Sequence, residues 1–374
     1  MKRVETMSGA LEGVRSFLFS RGRQHPIPTL DGAYVPNNRL EELPVIGTDL
    51  VRPDDVAAGE GGALYVSSLN RLLRLSGPGL HDQSVVATFA APITALARLS
   101  DGSLAVGING AGVRCISADG SVVASLVEAG GTRLRCITAI AEDPVQGGLY
   151  LAVGSVQHDA EDWVVDLMER NSTGMLVYWP RGSATAEVLL SGLAYPNGLE
   201  VTDGGRGLLF TQSWAHTLAR YRRGDNGRGG TEVLIDNMPG YPARIAPAAG
   251  GGHWLAIFAM RTQLIELVLR EREFCREMMR SVDPELWIRP ALRATGSYLE
   301  PLQGGGIKKL GIRKPWAPPR AYGLVVRLDV DCEPMFSLHS RVDGRNHGIM
   351  AAREINNRLL IAAKGNDCLL GDHL

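Results

Sequence analysis

Apolar residues in this chain come in short runs split by glycine turns, not at helical spacing. One unit recurs: a short apolar strand, a Gly-rich turn, a second apolar strand and usually a third. Recurrence of one strand–turn–strand unit at a regular interval signals a repeat architecture. The unit reads DDVAAGEGGALYVSSLNRLLRL from Asp54, ITALARLSDGSLAVGINGAGVRCI from Ile93 and ITAIAEDPVQGGLYLAVG from Ile137. It continues as NGLEVTDGGRGLLFTQSWAHTLARYR from Asn197, ARIAPAAGGGHWLAIFA from Ala243 and GIMAAREINNRLLIAAKG from Gly348. The turns centre near positions 61, 101, 147, 204, 250 and 356. Most intervals are thus about 40 to 60 residues, which suits one four-stranded blade per unit. Six units predict an all-β, six-bladed β-propeller, closed because an open stack would leave two sheet edges exposed. On this reading residues 42–374 form the propeller, 1–41 are an N-terminal extension, and 42–48 supply the last blade's outer strand.

The interval between the fifth and sixth units is longer and holds an insertion over 261–321. Its first part, 263–280, has Leu264, Leu267, Val268 and Phe274 near helical spacing with Arg and Glu between them, which predicts a helix. The rest, through GGGIKKLGIRKPWAPPR, reads as a loop. Three roles are open to the helix: covering the channel mouth, a homodimer contact, or a membrane contact, which its mixed charge disfavours. Residues 161–170 predict a short helix with Trp163, Leu167 and Met168 on one side. It is either a lid at the mouth or a stripe packed on neighbouring loops.

Charge narrows the partners. Lys plus Arg is 39 against 40 Asp plus Glu, so overall charge makes no electrostatic case for nucleic acid or an anionic membrane surface as the main partner. Cys115, Cys136, Cys275, Cys332 and Cys368 are scattered, with no CxxC pair, and read as reduced thiols in a cytoplasmic protein. The apolar patch 14–19, broken by Arg15 and Ser16, is too short to span a bilayer and too weak for a signal peptide. The sequon at Asn171 matters only in a secreted protein. GxSxG, HExxH, Walker and strand-to-helix GxGxxG patterns are absent, and the glycine run 224–230 fits a blade turn.

The repeat itself locates a candidate site. Residues six to nine before each turn share one phase of the innermost strand, so they converge on the central axis. They are Asp54 or Asp55, Thr94, Thr138 with Ala139, Asn197, Ala243 with Arg244, and Ile349 with Met350.

The blocks YPNGLEV and DNMPGYP, with HDAEDWVVDLMERNSTGMLVYWP, LVRPDDVA, GLVVRLD and SLHSRVDG, resemble the strictosidine-synthase-like family across most of the chain. Related propellers include the paraoxonases and gluconolactonases. The resemblance implies a small-molecule substrate at one end of the channel. It implies metal-dependent ester or lactone hydrolysis in many members, and Pictet–Spengler condensation in the plant synthases. Metal-binding relatives carry a Glu, two Asn and an Asp in this ring. Asp54 matches the first ligand and Asn197 the third, while Thr138–Ala139 and Ala243–Arg244 lack the oxygens a hard cation needs. Asp54 and Asn197 are therefore an incomplete calcium pair, and no cofactor is expected.

Arg244 is expected to take the cation's place and pair with Asp54, with Asp55 as a second partner. The alternative is that Arg244 points to solvent over a disused ring. The catalytic Glu of the condensing enzymes falls at or beside Met350. His347 is the nearest titratable group, either an acid/base near neutrality or a hydrogen-bonded loop histidine, and His216 has the same standing. The candidate catalytic residues are Asp54, Arg244 and His347. The candidate substrate contacts are Asp55, Thr138, Asn197, His216, Trp163 and Met350. Three functions remain open: an ester or lactone hydrolase, ranked first; a metal-independent condensing or rearranging enzyme; and a non-catalytic propeller that binds a metabolite or protein.

Overall fold

The computed structural model describes residues 27–47, 49–224, 229–293, 308–309, 312–313 and 321–373. The apolar patch 14–19 lies outside them. Six four-stranded antiparallel sheets follow one another around a ring. The first four begin on the inner strands Val56–Ala58, Ile93–Arg98, Ile137–Glu142 and Pro196–Thr202. The last two begin on Gly240–Pro247 and Ile349–Ile355. The chain is a six-bladed β-propeller.

The second strand of each blade is apolar almost throughout: LYVSS, LAVGI and LYLAV are buried at every position. Both faces of these strands pack on neighbouring blades, so they read as continuous hydrophobic runs without alternation. Outer strands such as Asp82–Thr88 are mostly exposed. The ring closes at blade 6, where Val45 and Ile46 pair with Leu370 and Leu369. One apolar cluster, including Ile46, Val56, Leu64, Ala351 and Leu360, fills the seam between blades 6 and 1.

Residues just before this closing strand also belong to the ring. Asn37 donates to the Ser337 carbonyl at 2.9 Å and accepts from the His339 amide at 3.0 Å, lining the outer strand of blade 5. The Glu41 carboxylate accepts from Ser340 and from the amides of Arg345 and Asn346.

Three helices sit at one end of the ring: α1 (Trp163–Glu169), α2 (Gln263–Arg270) and α3 (Arg272–Ser281). The single helix expected over 263–280 is broken at Glu271, whose ψ of 76° is not helical. The break changes the buried stripe. Ile265, Val268, Cys275 and Met278 are buried, whereas Leu267 and Phe274 are each 52 % exposed. Met168 of α1 joins Val268, Cys275, Met278 and Trp287 in a small satellite core, so the insertion is docked on α1 of its own chain. The segment expected to be all loop contains a two-residue ladder, Lys308–Lys309 with Ile312–Arg313. All five cysteines are free and buried.

Candidate functional site

The inner strands of blades 2 to 6 share an irregularity. Their register shifts between Ile93 and Ala95, Ile137 and Ala139, Pro196 and Gly198, Pro242 and Ile245, and Ile349 and Ala351. The residues inside these bulges are Thr94, Thr138, Asn197, Ala243 with Arg244, and Met350. A bulge leaves its extra residue out of the ladder and re-aims its side chain. That is how five strands of ordinary pleat each direct one side chain toward the channel mouth. Gly198 follows the Asn197 bulge because a Cβ there would collide with the Ala243 carbonyl. In blade 1 the Ser67 hydroxyl takes over, accepting from the Asp54 and Asp55 amides at 2.9 Å each.

Charges alternate through this ring. Arg353 Nε lies 2.8 Å from Asp55 Oδ1. Asp55 Oδ2 lies 3.2 Å from Arg244 Nε, close enough for an ion pair although the N–H is not aligned on it. Arg244 Nη2 is 2.6 Å from Asp54 Oδ1, and Lys364 Nζ is 2.6 Å from Asp54 Oδ2. Lys364 then faces Glu161 at 3.6 Å, and Glu161 pairs with Arg52 at 2.7 Å. Arg244 is 1 % exposed, which removes the solvent-pointing alternative. Its Nη1 donates to the Asp54 and Met350 carbonyls, and its Nη2 to Asp54 Oδ1 and the Thr94 carbonyl. All four Nη hydrogens are thereby used. Burial alone would raise the Asp54 pKa, but the charges of Lys364 and Arg244 outweigh it and hold the carboxyl below its ordinary value.

Above this plug lies a cavity lined by Asp54, Thr94, Thr138, Asn197, Arg244, Met350 and Lys364. Its walls and roof are Ala160, Trp163, Tyr195, Phe258 and Leu292. Trp163 meets Phe258 edge-on at 5.4 Å. Behind it Trp214 stacks on Tyr195 at 4.3 Å and donates to Asp166 of α1 at 2.7 Å, pinning α1 to blade 4. The cavity holds only about 30 Å³, room for a water or two. Ligand pockets run to several hundred Å³, so the cavity in this conformation is far smaller than a usual ligand pocket. Leu292 of the insertion presses on Gly365, where a Cβ would collide with the Leu292 carbonyl.

Asp54, Thr138, Asn197, Arg244, Trp163 and Met350 therefore meet at one cavity. Their individual states differ. The Thr138 hydroxyl is spent on the Pro196 carbonyl at 2.7 Å, whereas the Asn197 side chain, in a residue 2 % exposed, has no hydrogen-bond partner among the described residues. Asp55 sits behind Arg244, fully buried and outside the lining. His347 is also outside it, with Nε2 bonded to the Arg341 carbonyl at 2.8 Å, as in the loop-histidine reading. His216 lies elsewhere too, with Nδ1 3.2 Å from the Gly240 carbonyl and Nε2 3.6 Å from Glu266. It anchors α2 to blade 4.

Sequence reasoning missed Lys364, Glu161 and Arg353. For Lys364 a signal existed: apart from Lys2, Lys308, Lys309 and Lys314, every other basic residue counted with Lys is Arg. A lone lysine at the mouth end of a blade strand stands out in such a chain.

The family model described as Strictosidine synthase matches residues 139–224. The adipocyte plasma membrane-associated protein of Salmo salar is 26% identical over 260 residues, 63% of this chain and 60% of that one. The protein strictosidine synthase-like 13 of Arabidopsis thaliana is 30% identical over 122 residues, 33% of this chain and 30% of that one. The matched part thus spans less than two thirds of the length of these relatives. Among solved structures, a gluconolactonase from Xanthomonas campestris superposes with a TM-score of 0.58 at 14% identity, covering 93% of this chain and 95% of that one. A calcium-binding regucalcin from Agrobacterium tumefaciens gives 0.54 at 14% identity, covering 87% and 90%. No helix among the described residues is long and apolar enough to cross a membrane. The six-bladed fold is thus shared with these solved propellers, and over residues 139–224 the chain is similar to the strictosidine synthase family.

Proposed function

We propose that the protein hydrolyses an ester or lactone of a small organic molecule at the channel mouth, without a divalent cation. One observation carries this reading: Lys364 and Asn197 keep hydrogen-bond donors to spare in the cavity that also holds the Asp54 carboxylate. An ammonium has three donors, and Lys364 forms one hydrogen bond, to Asp54. In acyl transfer, negative charge develops on the carbonyl oxygen, and donors fixed in advance around it lower the barrier most. Lys364 and Asn197 fill that role. Arg244 does not, because all four Nη hydrogens are already used. Ionised Asp54 accepts a hydrogen bond from the attacking water and orients it. Its lowered pKa makes it a weak base, so the donors on the carbonyl side carry most of the acceleration.

The ring does not suit calcium, which takes six to eight oxygens. Both oxygens of Asp54 face Arg244 and Lys364, and the guanidinium lies where the cation's charge would be. No group of three or more His, Cys, Asp or Glu among the described residues is placed to hold a metal. The gluconolactonase-like fold supports hydrolysis, and Met350 at the condensing enzymes' Glu position weakens the case for condensation. The small cavity and the fully compensated ion chain favour a second reading, a propeller that binds a metabolite without turnover. A panel of aryl esters and lactones, assayed in calcium and in chelator, separates the two. Chelator-resistant turnover supports hydrolysis. Saturable ligand binding seen by native mass spectrometry, with no turnover, supports the second reading.

A further inference from the structure

Away from the channel mouth, a groove of about 480 Å³ runs between the end of α1 and α3. Arg170, Arg272, Arg276 and Arg280 line it, over apolar surface from Met168, Leu269, Cys275 and Met279. Arg272, Arg276 and Arg280 recur every four residues, so they form a row on one helix face, about 6 Å apart. Arg280 pairs with Glu277 at 2.5 Å, and Arg170 donates to the Leu269 carbonyl at 3.3 Å. Arg272 and Arg276 have no acidic partner among the described residues. The one acid in the lining, Glu169, is already engaged by His158 at 2.7 Å and Asn171 at 2.9 Å. The groove is thus a strongly cationic trough with an apolar floor, in a chain whose overall charge is close to balance.

We infer that this groove binds a phosphomonoester that carries an apolar arm. A carboxylate is satisfied by a single guanidinium fork. Two neighbouring forks with Arg170 opposite suit the three terminal oxygens and double charge of a phosphate. Leu269 and Met279, both half-buried, take the apolar arm. Because α1 also carries Trp163 into the mouth cavity, a phosphate held here ties that helix to the insertion. The same chemistry occurs in a soluble phosphate ester and in the headgroup of a phosphatidic-acid membrane. The inference is independent of what the mouth pocket does.

The test is calorimetric titration of the full chain with inorganic phosphate and with phenyl phosphate, alongside sedimentation with vesicles of phosphatidylcholine with and without phosphatidic acid. The groove predicts saturable binding, tighter for phenyl phosphate than for inorganic phosphate. Binding should weaken by roughly tenfold or more in the double variant Arg272→Ala/Arg276→Ala. Arg270→Ala, at the end of α2 and outside the groove, should bind as the parent does. Binding only to vesicles with phosphatidic acid, lost in the double variant, identifies the membrane headgroup as the source. No binding in any arm, or equal losses in Arg270→Ala and the double variant, overturns the inference. Circular dichroism of each variant keeps misfolding apart from a lost site.

Discussion

Arg244 Nη2 and Asp54 Oδ1 lie 2.6 Å apart inside the channel and join blade 5 directly to blade 1. Both side chains are almost completely buried, and the guanidinium also holds carbonyls from blades 2 and 6. One side chain thus ties four of the six blades together. That gives the residue a structural role whatever the mouth does.

Removing one partner of a buried ion pair leaves an uncompensated charge. Arg244→Met leaves Asp54 with Lys364 alone and Asp55 with Arg353 alone. The expected cost is about 3–5 kcal/mol, read as a lower urea midpoint at unchanged slope. With Asp54→Asn in the same chain, the combined loss should fall clearly short of the sum, because the two changes break one interaction. Additive losses would mean that the pair is not coupled.

A second ion pair sets a pH dependence. His253 Nδ1 is 2.9 Å from both carboxylate oxygens of Glu200. Burial works against protonation, but hydrogen bonds with Cys332 and Glu200 and the charge of Glu200 outweigh it, raising the pKa to about 9. A raised folded-state pKa contributes stability that is complete below the unfolded value, 6.5, and is lost as pH rises through about 9. Melting temperature should therefore decline between those pH values. In Glu200→Gln the decline should flatten, and an unchanged profile would contradict the pairing.

The contact of Leu292 at the mouth makes its own prediction. Gly365 admits the Leu292 carbonyl where a Cβ would collide, so Gly365→Ala should push Leu292 off the mouth. Limited proteolysis should then cut faster near residues 287–293, while the blades stay protected. Equal cleavage of parent and variant would mean that Leu292 is not held by this contact.

The blades were legible in the sequence because the strand–turn unit repeats with a constant phase. The same phase found Thr94, Thr138, Asn197, Arg244 and Met350, since each occupies the bulge of its inner strand. His347 was less legible. It lies two residues before the inner strand of blade 6, and spacing alone does not say which side of that approach its ring takes. Phe274 shows a similar limit: the break at Glu271 turns α3 about its axis, so Cys275 and Met278 face inward instead. Lys364 escaped because its partners, Asp54 and Glu161, are far away in the chain and only ring closure brings them together.

The role given to the spare donors at the mouth rests most directly on kcat/KM for a hydrolysed lactone or aryl ester, measured in chelator for the parent, Lys364→Met and Asn197→Ala. The prediction is metal-independent turnover that falls by about 100-fold or more in Lys364→Met, and substantially in Asn197→Ala, in chains that still melt cooperatively. Turnover that requires calcium, or that survives unchanged in folded Lys364→Met, would contradict it.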